Sequence, residues 1–78
     1  MVKKTYVVDG QPAVVSWHLE QHPSVYSVRF ADESVVGTIA MTAIGQFLAR
    51  DAQGHPLGTF GLLREAVVQV LREARRDT

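Results

Sequence analysis

The stretch Ala13-Val14-Val15-Ser16-Trp17-His18-Leu19-Glu20, the turn Gln21-His22-Pro23-Ser24 and the run Val25-Tyr26-Ser27-Val28-Arg29-Phe30 decide the fold. Side chains alternate across a strand, so Ala13, Val15, Trp17 and Leu19 share one face while Val14, Ser16, His18 and Glu20 share the other. Beyond the turn, Tyr26, Val28 and Phe30 alternate with Val25, Ser27 and Arg29. Centring the loop on His22-Pro23 sets Leu19 against Tyr26, Trp17 against Val28 and Val15 against Phe30. All six then lie on one sheet face. A one-residue slip would turn a whole apolar set into water, so the agreement argues for an antiparallel hairpin with one buried side.

The same face continues in both directions. Towards the N-terminus, Tyr6-Val7-Val8 runs into Asp9-Gly10, a hairpin signal. Pro12 cannot donate to a ladder, which favours a four-residue loop over 9–12 and pairs Val8 with Ala13, Tyr6 with Val15 and Lys4 with Trp17. Towards the C-terminus, a turn at Asp32-Glu33 pairs Phe30 with Val35, Val28 with Gly37 and Tyr26 with Ile39. Residues 34–50 fit two patterns. Val36, Ile39, Ala40, Ala43, Ile44, Phe47 and Leu48 make a helical stripe that Ser34 could cap. The β-branched Val35, Val36, Thr38, Ile39, Thr42 and Ile44, with Gly37 and Gly45, favour strands instead, broken near 43–45. Phe47–Asp51, the loop Ala52-Gln53-Gly54 and the run 57–60 form a last hairpin, with Gly54 in its left-handed position.

Residues 62–76 give the clearest helix. Leu63, Val67, Val70, Leu71 and Ala74 form its apolar stripe, with Leu62 and Ala66 beside it. Thr59 or Gly61 is the expected N-cap. Glu65 near the start and Arg72, Arg75 and Arg76 near the end suit the helix dipole. The expected fold is α+β: one domain over residues 1–78, an antiparallel β-meander of four to six strands with one C-terminal helix packed on one face, and Trp17 beneath that helix.

Size and composition narrow the functional classes. A chain of 78 residues buries only about 60% of its unfolded surface, which one sheet and one helix use up. Eight basic and eight acidic residues leave no net charge, unlike a protein that binds nucleic acid chiefly by neutralising phosphates. The chain has no cysteine, and so no disulfide or thiolate chemistry. Residues 1–6 carry two lysines but no apolar signal region, and no run is long enough to span a bilayer. A cytoplasmic protein without membrane association is expected. Neither a charge block nor an internal repeat stands out.

Catalytic groups do not converge. His18, His22 and His55 are the only soft metal ligands, and the first two fall on a strand and its turn rather than on one helix face. Asp9, Asp32 and Asp51 sit in turns, where aspartate bonds locally. Ser16 and His18 lack an orienting acid and an oxyanion loop. Gly54, Gly58 and Gly61 do not match a phosphate cradle. No enzyme activity, metal or cofactor is expected.

Leu57-Gly58-Thr59-Phe60 followed by Glu65-Ala66 resembles the strand-to-helix junction of the ethylene-responsive plant DNA-binding domains and of the arm-binding domains of tyrosine recombinases. The resemblance covers roughly the last 35 residues. It implies three antiparallel strands and a helix whose sheet enters the DNA major groove, with Gly45-Gln46-Phe47-Leu48-Ala49-Arg50 in the place of the middle strand. Of the family's DNA-reading residues, Arg50 alone has a counterpart.

The face away from the helix is the surface left for work. The alternation puts Val7, Val14, Val25, Val36 and Ala40 there, among Thr5, Ser16, Ser27, Thr38 and Thr42. An apolar patch of this kind usually meets a partner. The leading expectation is a small non-catalytic protein-interaction or regulatory module, of a size suited to a phage or other mobile element, that pairs with a protein or with itself as a homodimer. The alternative is a DNA-binding accessory domain using the sheet, with Arg50 as a contact.

Overall fold

The computed structural model describes residues 2–20, 25–42 and 44–76. Six strands, β1 (Val2–Val8), β2 (Gln11–Trp17), β3 (Val25–Phe30), β4 (Val35–Met41), β5 (Phe47–Asp51) and β6 (Pro56–Phe60), precede one helix, α1 (Leu63–Arg76). The strands form a single antiparallel sheet in chain order. The helix packs on β4, β5 and β6 and also reaches β1, so the sheet curls around it. The fold is therefore the expected α+β meander with a helix on one face. Residues 34–50 resolve as two strands separated by a turn.

Two registers differ from expectation by two residues each. Asp9 and Gly10 both have positive φ, at 53° and 79°, which makes a two-residue turn of the hairpin-favoured mirror type. Tyr6 then pairs with Ala13 and Lys4 with Val15. Pro12 is no obstacle. The turn makes Val8 and Gln11 a hydrogen-bonded pair, so the nitrogen of the next residue points away from β1. Between β2 and β3, Ala13 pairs with Phe30 and Val15 with Val28, and the expected loop centre at His22-Pro23 lies outside the described residues. Leu19 falls beyond the end of β2 and is 70% exposed. Trp17 is half-buried at the margin of the core, 5.2 Å from the Tyr26 ring. Val15, not Trp17, meets Val28 where the core is driest.

The later hairpins share one design. Phe30, Thr42 and Asp51 each donate their backbone N–H to the carbonyl four residues on, at 3.1, 2.7 and 2.9 Å. Their own carbonyls accept from Glu33, Gly45 and Gly54, at 2.9, 3.0 and 3.0 Å. Those three residues have φ of 69°, 81° and 89°. This is a three-residue loop with its last residue left-handed, as expected at Gly54. In β3–β4 and in β5–β6 a bulge then follows: Val28 pairs with Gly37 but Arg29 with Val35, and Ala49 with Gly58 but Arg50 with Pro56. Val36 and Leu57 are the extra residues. The two hairpins lie 21 residues apart and share Arg29/Arg50, Ala31/Ala52, Gly37/Gly58 and Thr38/Thr59. The chain thus contains an internal hairpin repeat that its sequence alone did not reveal.

Glu33 is the exception in this series, since a side chain with a Cβ is strained at φ 69°. Glu33→Gly is expected to raise stability by about 0.5–1 kcal/mol, a melting-temperature gain of roughly 2–8 °C. Thermal denaturation checks this, and a lowered midpoint would mean that the turn does not take the left-handed form.

Helix α1 begins one residue later than expected. Leu62, rather than Thr59 or Gly61, occupies the cap position, where its carbonyl accepts the Ala66 N–H at 3.3 Å. Ala66, Val67, Val70 and Leu71 are buried and Leu63 and Ala74 flank them, whereas Leu62 points to solvent. Glu65 lies in the first turn. No helix among the described residues is long and apolar enough to cross a membrane.

Candidate interaction surface

The pairings define which side chains share the face opposite α1. One cross-strand row runs Lys3, Ser16, Ser27, Thr38, Arg50 from β1 to β5. Beside it lies Thr5, Val14, Arg29, Val35. On the other side Val25, Ala40, Leu48 and Thr59 follow one another from β3 to β6. Val14, Val25, Ala40 and Leu48 are half-buried, and Val7 is 62% and Val35 49% exposed.

Of the five apolar residues expected on this face, Val7, Val14, Val25 and Ala40 lie there. Val36 does not: it is 4% exposed and belongs to the core. The bulge is the physical reason. The three-residue loop over 31–33 starts β4 one residue out of register, and Val36 absorbs the difference by turning inward beside Gly37. Val35 takes the outward place. Leu48 was missed, although β-strand parity from Ala40 across the turn would have found it.

Lys3, Arg29 and Arg50 project on the outer rows, and among the described residues no carboxylate belongs to those rows. Among the described residues, Asp9, Glu20, Asp32 and Glu33 lie in turns, Asp51 ends β5, and Glu65 and Glu73 lie on the helix. Arg29 and Arg50 are equivalent positions of the hairpin repeat. Arg50 donates through Nη1 to the Gly54 carbonyl at 3.1 Å. Lys3 and Arg29 have no ion pair among the described residues, and they flank a groove of about 440 Å³ floored by Thr5, Val14 and Ser16, with Glu33 at its rim.

Asp32 and Asp51 bond locally, as expected, whereas Asp9 Oδ2 lies 3.9 Å from Arg72 Nε on the helix. Asp32 accepts from the Ser34 hydroxyl at 2.6 Å and from its N–H at 3.0 Å, and these bonds hold its pKa below the usual carboxylate value. Asp51 Oδ1 accepts from the backbone N–H of His55 and of Gln53, both at 2.9 Å. The His55 N–H leads in lowering its pKa, and the imidazole lies 3.3 Å from Oδ2. Of the three histidines, His55 has a carboxylate beside it, His18 is exposed just past β2, and His22 lies outside the described residues. Among the described residues no three His, Asp or Glu side chains gather as a metal site requires.

Of the aromatic residues, Phe30 lines the outer groove while also packing against the core. Trp17, Tyr26 and Phe47 form a chain on the core side, with ring centroids 5.2 and 6.0 Å apart. The outer face therefore offers hydroxyls, guanidinium groups, an ammonium and aliphatic surface, with Phe30 at one end of its groove and no row of aromatic rings. Comparison with family models, curated proteins and solved structures finds no match to this chain.

Proposed function

We propose that this protein is a small non-catalytic interaction module whose working surface is the outer sheet face, and that it binds a protein surface bearing acidic groups. One observation carries the reading: Lys3, Arg29 and Arg50 stand among Val14, Val25, Ala40 and Leu48 with no carboxylate in the same rows. Aliphatic area supplies the burial, and the cations select the sign of the partner. A second copy of the same face is a poor occupant, because it would bring like charges together in one desolvated layer.

Val25→Glu tests this reading. Val25 is half-buried on the outer side, so the variant should fold, with unchanged circular dichroism, while a partner captured by the wild type from its own cells is lost. A partner retained equally by both proteins would remove the outer face from the reading.

Duplex DNA is the second reading. It is favoured by Lys3 and Arg50 closing a row of three hydroxyl residues, a span of roughly 19 Å over four strand spacings. A sheet laid in a groove would turn such hydroxyls to base edges and the cations to flanking phosphates. Fluorescence anisotropy with mixed duplexes at low salt separates the two readings. Binding that falls steeply with salt and weakens in Arg50→Ala supports DNA.

A further inference from the structure

The two edges of the sheet are built differently. β6 begins at Pro56, carries the extra residue Leu57 and has Gly58 at φ 131°, three features that spoil further pairing. β1 has seven residues without proline or bulge, and among the described residues no strand pairs with its outer side. The Asp9-Gly10 turn assigns the backbone groups of Val2, Lys4, Tyr6 and Val8 to β2. The N–H and C=O of Lys3, Thr5 and Val7 therefore point outward along the open edge.

We propose that the chain forms a two-fold dimer through β1, antiparallel to the same strand of a second copy and centred on Thr5. The sequence of β1 is self-complementary in that register. Thr5 meets the partner's Thr5, a favourable cross-strand pair. Lys3 lies opposite the partner's Val7, and the two Lys3 side chains stand roughly 14 Å apart, beyond the Debye length at physiological salt. On the core side Val2 meets the partner's Val8, and Lys4 meets the partner's Tyr6. Within one chain the Lys4 ammonium already lies 5.2 Å from the Tyr6 ring centroid, and the dimer offers it a second ring of the same kind.

Lysines on an edge strand ordinarily blunt it; here they choose the register. Centring the pair on Lys3 or on Lys4 would set a lysine opposite its own copy. Centring it on Thr5 overlaps all seven residues, satisfies the open groups of Lys3, Thr5 and Val7, and covers Val7, one of the most exposed large apolar residues on the outer side. The result is an isologous contact that joins the two sheets and leaves both outer faces free for the partner proposed above.

Sedimentation equilibrium on the full chain tests the register with two variants. Val7→Lys sets a lysine against the partner's Lys3 at both ends and should weaken the dimer by about tenfold or more, with circular dichroism unchanged because Val7 is exposed in the monomer. Lys3→Glu added to Val7→Lys restores opposite charges across the interface and should recover the dimer. Within one chain, residues 3 and 7 are too far apart for that rescue to arise locally. A wild type that stays monomeric at tens of micromolar overturns the proposal. So does a double variant no tighter than Val7→Lys, or a dimer lost in Val25→Glu and indifferent to Val7→Lys.

Discussion

Gly37→Ala should lower stability by about 2 kcal/mol, a fall in melting temperature of roughly 8–15 °C. The expectation comes from the place where α1 crosses the sheet. Gly37 sits on the core side of β4 between Val28 and Asp51, just past the bulge. A Cβ there would lie 2.7 Å from Val70 Cγ1 and would also meet the backbone carbonyl oxygen of Arg50. The carbonyl belongs to the neighbouring strand and cannot rotate aside as a side chain could. Val70 is itself 1% exposed, so it has no free volume to enter. The helix must therefore lift, or β4 and β5 must part. Either response loosens Val67, Val70 and Ile39 together, which is why one methyl group costs more than its own volume. The measurement is thermal or urea denaturation. The double variant Gly37→Ala with Val70→Ala is informative, because its loss should fall short of the sum of the two single losses once the helix side gives way. An unchanged midpoint for Gly37→Ala would show that α1 does not seat on this glycine.

Face assignment was legible in the sequence because alternation is insensitive to even shifts of register. Both early hairpins differ from expectation by two residues, yet Ala13, Val15 and Val28 still point to the core and Val14 and Val25 still point away. The depth of each residue was not legible. Moving the β2–β3 register by two puts Val15 at the dry centre and leaves Trp17 at the margin and Leu19 in solvent. Odd shifts were invisible for a different reason. A three-residue loop followed by a bulge changes parity over a few residues and then restores it, so Val35 and Val36 exchange faces while Gly37 and Ile39 do not. The left-handed position of the first such loop carries Glu33 rather than glycine, which removed the one signal that marked the same loop at Gly54. The candidate surface was legible to the same extent: Val7, Val14, Val25 and Ala40 by parity, Val36 lost to the bulge. Net charge hid the cationic outer rows, because carboxylates in the turns and at the end of β5 offset them, while the helix itself carries four arginines and two glutamates.

Val28→Glu should unfold the protein, whereas Val25→Glu, three residues earlier on the same strand, should not. Val28 is fully buried, paired with Val15 on one side and Gly37 on the other. Val25 lies on the outer side against Ala40 and keeps contact with solvent. A glutamate at Val28 would place a carboxylate among aliphatic neighbours of the core cluster, with no basic side chain in that cluster to receive it. It must then stay ionised without a partner or take up a proton, and either choice costs several kcal/mol. A chain of 78 residues has a total stability of only about 4–12 kcal/mol, and losing the Val28 packing against Val15 adds to the deficit. The sheet would go first at its centre, so no strand pair could survive independently. At Val25 the same carboxylate remains hydrated and the core is untouched. Far-ultraviolet circular dichroism with a urea titration distinguishes the two variants directly. A folded Val28→Glu beside an unfolded Val25→Glu would mean that β3 presents its other face to the helix, and the outer rows of Lys3, Arg29 and Arg50 would have to be redrawn with it.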